Sequence, residues 1–205
     1  MYKMRPNMNV YPVLSPEQSF SSLSLAEKSV HHYQDLITLF NATFSETENT
    51  VLVKGGHEPI YIPANNNHTN HRIIFAHGYF ASALHEIAHW CIAGKQRRLL
   101  EDYGYWYSPD GRDVKQQAEF EKVEVKPQAI EWAFSCAAGK SFRVSTDNLN
   151  GAPVNVQGFQ EAVKQQVLLY LEQGFPPRAA EFIYVLQGFY QTSKLNKRMF
   201  DYESA

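Results

Sequence analysis

Leu84-His85-Glu86-Ile87-Ala88-His89-Trp90-Cys91-Ile92-Ala93-Gly94 is the stretch from which the rest of the chain is read. Residues four apart on an α-helix share a face, so His85 and His89 present two imidazoles to one point while Glu86 projects toward the same region. Leu84, Ile87, Ala88, Cys91 and Ile92 supply an apolar face, and Gly94 stops the helix soon after the second histidine. This His-Glu-x-x-His spacing predicts a helix that holds one catalytic cation. On residue chemistry alone it points first to Zn²⁺, with Glu86 as the general base of a peptidase.

Two imidazoles leave a catalytic cation short of a third protein ligand. The helix expected from about Gln117 carries Phe120, Val123, Ile130 and Phe134 on one stripe, with Glu124 and Glu131 at its edge and Glu121 and Gln128 further round. A carboxylate bordering a buried stripe is the natural candidate. Glu124 is the choice, and Glu121 and Glu131 are its alternates. Pro127 is expected to kink this segment or to mark its first turn.

Outward from the motif, Thr50 to Lys54, Ile60-Tyr61-Ile62 and Arg72 to Ala76 read as short strands, with Gly55-Gly56 a turn and 65–70 a polar loop. Before them, Ser24-Leu25-Ala26-Glu27 forms a capping box that opens a helix, along which Leu25, Tyr33, Leu36, Ile37, Phe40 and Phe44 recur at helical spacing. After the motif, helices are expected at about 117–138, 155–173 and 177–190, with Gly174 ending one and Pro176-Pro177 starting the next. The fold class is therefore α+β: a small sheet, then the metal helix with a zincin-like site around it, then a helical C-terminal half. Residues 1–21 read as a mobile N-terminal arm, 22–192 as a single catalytic domain and 193–205 as a C-terminal tail.

Composition narrows the function. Of 205 residues, 44% are hydrophobic and 14% aromatic, which suits a globular protein with large core side chains, and a net charge of −2 lacks the basic excess of a nucleic-acid binder. Cys91 and Cys136 have no disulfide or zinc-finger spacing and are expected to be buried free thiols, as in a reducing cytoplasm. No apolar run reaches the ~18 residues of a membrane span, and no signal-peptide core follows Met1.

Between the two candidate metal-binding helices, Tyr103, Tyr105, Trp106 and Tyr107 crowd a loop that closes on Pro109-Asp110-Gly111-Arg112. Such aromatics either fold onto the core or wall a pocket for a long cationic side chain. His77 ends a strand just before the metal helix, close enough to reach the same pocket.

The strings Phe75-Ala76-His77-Gly78, His85 to Lys95, Asp102 to Tyr107, Pro109 to Arg112, Val123 to Ala129 and Asp147-Asn148-Leu149 resemble the elongation factor P hydroxylase family. The resemblance runs from about His31 to about Tyr190. It implies hydroxylation of the β-lysylated lysine of elongation factor P, the last step in maturing that side chain. It also implies a cation held by two histidines and one carboxylate, carried here onto His85, His89 and Glu124, with Glu86 as a nearby base or proton donor. The implied ion is Fe(II), with Zn²⁺ the alternative, and molecular oxygen is the implied co-substrate. None of the eight histidines has an acid two residues on, so 2-oxoglutarate is not indicated. Tyr103, Tyr105, Tyr107 and Arg112 are then expected to border the substrate entrance, Arg112 by holding the loop or meeting acidic surface on the partner, with Asp110 or Glu121 near the substrate's charge and His77 within reach. Elongation factor P is the expected partner, docking as a folded protein. No nucleic acid or membrane is expected, and oligomeric state is not legible.

Overall fold

A computed structural model of the chain describes residues 31–102, 111–148 and 155–202. In chain order the elements are α1 (Tyr33–Phe44), β1 (Thr50–Lys54), β2 (Ile60–Ile62), β3 (His71–Phe75), α2 (Phe80–Ile92), α3 (Val114–Ala137), α4 (Val156–Gln173) and α5 (Pro177–Tyr190). This is the expected α+β order, with three strands before the motif helix and three helices after it. The arm at 1–21 and the capping box at Ser24 lie outside the described residues, and from His31 onward the chain forms one compact unit.

β3 is the central strand, parallel to β1 and antiparallel to β2. Leu52, Ile73 and Tyr61 stand in one row across the sheet because Ile73 is the register partner of both others. That row and Phe75 face the helical layer, since alternate residues of a strand share a face. The outer side of β1 is tied to α1, where Asn41 Oδ1 accepts the Leu52 N–H at 2.7 Å. Leu36, Phe40 and Phe44 of α1 are fully buried at four-residue spacing. Phe40 and Phe44 pack edge-on against Trp90 of α2.

The turn from β3 into α2 sets where the motif begins. His77 (φ 56°) and Gly78 (φ 73°) both adopt the left-handed conformation. A Cβ on Gly78 would stand 3.0 Å from Lys54 Cε and 3.1 Å from the Tyr33 ring, so this close approach requires glycine. The chain reverses there, and α2 buries Phe80, Ala83, Leu84, Ile87, Ala88 and Cys91. His85, Glu86 and His89 are left on the opposite flank, toward α3.

α3 starts at a capping box in which Asp113 Oδ1 accepts from Gln116 N (2.8 Å) and Gln116 Oε1 accepts from Asp113 N (3.0 Å). Pro127 neither starts nor ends the helix, which runs unbroken through it for 24 residues. Val123, expected on the buried stripe, is 55% exposed, whereas Pro127 to Ser135 are buried on every side. α3 is a central helix packed by α2, α4 and α5, and its C-terminal half has no solvent face to define a stripe. The chain beyond α5 returns to this core: Phe200 is fully buried and meets Trp132 at 5.4 Å, and Tyr202 Oη donates to Gln160 O at 3.1 Å.

Candidate metal centre

His85, His89 and Glu124 converge: α2 supplies the two imidazoles from successive turns, and α3 supplies the carboxylate. His85 Nε2 lies 3.1 Å from His89 Nε2 and 3.6 Å from Glu124 Oε2, and His89 Nε2 lies 3.2 Å from Glu124 Oε1. Donors bound to one ion at roughly 2.0 to 2.2 Å, in tetrahedral or octahedral arrangement, stand about 3 to 3.5 Å apart, so the spacing fits a shared cation. Two facing imidazole nitrogens at this distance also need a proton or a cation between them, because two lone pairs would repel.

Glu124 Oε1 carries the clearest mark of a ligand atom. It is buried and makes no well-aligned hydrogen bond, its near polar neighbour being His89 Nε2 at 3.2 Å, and a cation between the two would satisfy both. The other oxygen, Oε2, is 3.4 Å from Gln128 Nε2, and Gln128 is clamped in turn by Ser145, donating to its carbonyl at 2.7 Å and accepting from its N–H at 3.0 Å. On the far side of His85, Nδ1 lies 2.9 Å from Glu131 Oε2. Glu131, an alternate ligand on sequence grounds, thus sits behind the histidine and outside the convergent group.

Charge follows this geometry. Burial disfavours the His85 imidazolium, but the hydrogen bond to Glu131 and the charges of Glu131, Glu124 and Glu86 hold its pKa well above the usual imidazole range. Burial raises Glu124, yet the neighbouring His89 and His85 hold it well below the usual carboxylate range. For Glu86 burial dominates and pushes the carboxyl up. A cluster of three carboxylates around two imidazoles suits a cation by its charge as well as by its donor set.

Glu86, His89 and Glu124 of this cluster line a cavity of about 410 Å³. Its other walls include Tyr61, Trp90, Arg97 and Asp102, none of them expected from the sequence as site residues. Tyr61 and Asp102 are joined as a β-bridge, Arg97 pairs with Asp102 (Nη2–Oδ2 2.6 Å), and Tyr61 Oη donates to Arg98 O at 3.0 Å. Burial pushes the Tyr61 hydroxyl up to about 12, so it stays a neutral donor. The signal for Asp102 was its place at the head of a family-like string, and nothing local marked Tyr61.

The remaining expected site residues separate. Tyr103, Tyr105, Tyr107 and Asp110 lie outside the described residues. Arg112, expected at a substrate entrance, is instead fully buried, because its fork is needed inside the fold. Its Nε donates to Gln117 Oε1 at 2.9 Å, its Nη2 to the carbonyls of Thr146 (3.0 Å) and Asp147 (2.6 Å), and its guanidinium lies 3.9 Å over the Phe120 ring. Asn148 closes the arrangement by bonding both the N–H and the carbonyl of Arg112. Arg112 therefore holds the 146–148 segment against the start of α3. Glu121 accepts from Gln117 Nε2 at 3.1 Å and does not line the cavity. His77 is exposed beside His57 and Tyr79, turned away by its left-handed backbone, and does not line the cavity either.

Fold and site together define the class: an α+β protein whose HExxH helix, facing a carboxylate helix, presents a two-histidine, one-carboxylate group suited to a divalent cation. Residues 39–200 match the family described as Elongation factor P hydroxylase. Over 172 residues, 83% of this chain and 97% of the relative, the sequence is 54% identical to the Elongation factor P lysine hydroxylase of Haemophilus influenzae. The chain belongs to the elongation factor P hydroxylase family.

Proposed function

We propose that the chain is a metal-dependent oxidoreductase that hydroxylates the β-lysylated lysine of elongation factor P. The observation that carries this reading is the convergence of His85, His89 and Glu124 beside a cavity that His89 and Glu124 line, in a member of this family. A divalent ion held by these residues, Fe(II) by the chemistry of a two-histidine, one-carboxylate set, supplies the activation of dioxygen that insertion into a C–H bond requires. 2-Oxoglutarate is not part of the proposal. The zincin-like motif supplies the ligands, and the chemistry follows the family.

The protein's own part is to orient and to exclude water. Gln128 and the Ser145 backbone hold Glu124, so that Oε1 faces the histidines. Glu86, whose carboxyl burial pushes up, is placed to hold or release a proton at the cavity surface. Tyr61 and Trp90 give the cavity an aromatic lining for the methylene stem of a lysyl arm, and Asp102, already paired with Arg97, offers a carboxylate toward an ammonium group. Tyr103, Tyr105, Tyr107 and Asp110, in the segment that follows Asp102, are proposed to extend that lining. No described helix is long and apolar enough to cross a membrane, and the proposed place of action is the cytoplasm, where translation factors work.

The test is to incubate the purified chain, Fe(II), oxygen and a two-electron reductant such as ascorbate with β-lysylated elongation factor P, so that one oxygen atom can enter the side chain and the other leave as water. A mass gain of one oxygen atom on the modified lysine is expected. An unchanged mass with active, iron-loaded protein overturns the reading.

A further inference from the structure

α3 places one carboxylate at each nitrogen of a single imidazole. Glu124 and Glu131 are seven residues apart, close to two full turns, and so share a face of the helix. Glu124 Oε2 stands 3.6 Å from His85 Nε2, and Glu131 Oε2 stands 2.9 Å from His85 Nδ1. The two contacts differ in kind. The Nδ1 contact is at hydrogen-bond length, whereas the Nε2 side opens onto His89 and the Glu124 carboxylate.

We infer that Glu131 is the positioning residue of the metal centre: it accepts the Nδ1–H of His85, and so fixes the tautomer and ring plane that leave the Nε2 lone pair facing the cation. A carboxylate oxygen only accepts, so the proton of this bond sits on Nδ1, and Nε2 is the nitrogen left to give up its proton and meet the cation with a lone pair. A freely turning imidazole would meet the cation in the right ring orientation and tautomer only part of the time. Glu131 is itself 9% exposed and rooted in the part of α3 that is buried on every side, so its carboxylate is held as firmly as the ligands are. It also adds negative charge behind the ligand, which raises the donor strength of the imidazole. This inference rests on the metal reading above but not on the hydroxylase reading, because it predicts an affinity and not a reaction.

The experiment uses the full chain and Co²⁺ or Zn²⁺ alone, titrated against a chelating dye. Wild type is compared with Glu131→Ala, Glu131→Gln and His85→Ala, and the visible spectrum of the cobalt forms is recorded. Glu131→Ala is expected to weaken binding about 10- to 100-fold while keeping the wild-type cobalt spectrum, because the ligands are unchanged. Glu131→Gln is expected between the two, since its amide oxygen accepts the same N–H without the charge. A Glu131→Ala affinity within about twofold of wild type overturns the inference, given the loss expected of an outer partner. So does a Glu131→Gln affinity no better than that of Glu131→Ala. A Glu131→Ala protein that loses the metal as fully as His85→Ala, with an altered cobalt spectrum, would make Glu131 a ligand and likewise overturn it. Thermal melts of the metal-free proteins show whether each variant folds. If Glu131→Ala does not, Glu131→Gln decides alone, with binding weaker than wild type supporting the inference and equal or tighter binding overturning it. A wild-type chain that binds neither ion sinks the metal reading itself.

Discussion

Tyr61 and Asp102 exchange both backbone hydrogen bonds, Tyr61 N–H to Asp102 O at 2.8 Å and Asp102 N–H to Tyr61 O at 3.0 Å, and so close the outer edge of β2 beside the cavity. An enzyme that cleaves an extended peptide commonly receives it as an added strand along such an edge. Here the middle residue of that three-residue strand is already paired with this chain's own backbone. The Zn²⁺-loaded protein is therefore expected to leave unstructured fluorogenic peptides uncut. Cleavage above background that disappears in Glu86→Gln would restore the peptidase reading.

Loss of a donor should cost more than loss of a positioning group. His85→Ala, His89→Ala and Glu124→Gln are each expected to weaken divalent-metal binding beyond the ~100-fold that an outer partner reaches, and to abolish hydroxylation with it. Metal content measured after gel filtration checks this. Full occupancy in any of the three would remove that residue from the ligand set.

The same charges make metal-free stability depend on pH. The folded-state pKa of His85 is raised from 6.5 to about 10, so its contribution is fully present below pH 6.5 and is lost as pH rises through about 10. Glu124 is depressed from 4.5 to about 2, so its contribution is present above pH 4.5 and is lost as pH falls through about 2. Metal-free melting temperature is expected to fall on both sides, by roughly 2 to 4 °C per kcal/mol lost. With metal bound the alkaline fall should shrink, because the cation replaces the proton. Equal alkaline slopes with and without metal would contradict this.

Arg178 ties α5 to the end of the motif helix. Its Nη2 lies within hydrogen-bonding distance of the carbonyls of Trp90 (2.8 Å), Cys91 (3.1 Å) and Ala93 (2.7 Å) at the end of that helix, where intrahelical donors run out, and its guanidinium lies 4.5 Å over the Trp90 ring. Arg178→Ala is expected to destabilise the fold by about 2 to 3 kcal/mol. Arg178→Lys should recover only part of this, since a lysine keeps the charge without the fork. Chemical denaturation of the two variants measures the difference, and equal stability to wild type would show the bonds to be incidental.

Substrate choice should depend on more than the lysyl arm. One pocket contact discriminates by only ~1 to 3 kcal/mol, so telling one lysine from all others needs surrounding surface. With a net charge of −2 there is little electrostatic steering, and a transient interface below ~1,200 Å² is expected. Turnover of intact β-lysylated factor is therefore expected to exceed that of a short peptide carrying the same modified lysine. Removing residues 1–21 should leave turnover on the intact factor unchanged. Equal efficiency on peptide and protein would assign all specificity to the cavity.

The sequence by itself determined the order of elements, the helix that carries His85 and His89, and the adjacency of those two side chains, because each rests on periodicity within one element. The fit was close: helices expected at about 117–138, 155–173 and 177–190 run Val114–Ala137, Val156–Gln173 and Pro177–Tyr190. Only the tertiary structure decided which carboxylate does what. Glu124 and Glu131 share a face of α3, and no angular argument separates them; the docking of α2 against α3 puts one by each nitrogen of His85. Of the expected stripe Phe120, Ile130 and Phe134 are buried and Val123 is exposed, and the same docking buries the C-terminal half of α3 all round, so there no stripe distinguishes one face. Tyr61 and Asp102 are 41 positions apart and meet through a backbone bridge that needs neither side chain, so no residue pattern announced that wall of the cavity. Periodicity records which face of an element is apolar; which neighbour that face meets, and at what height, is settled by packing.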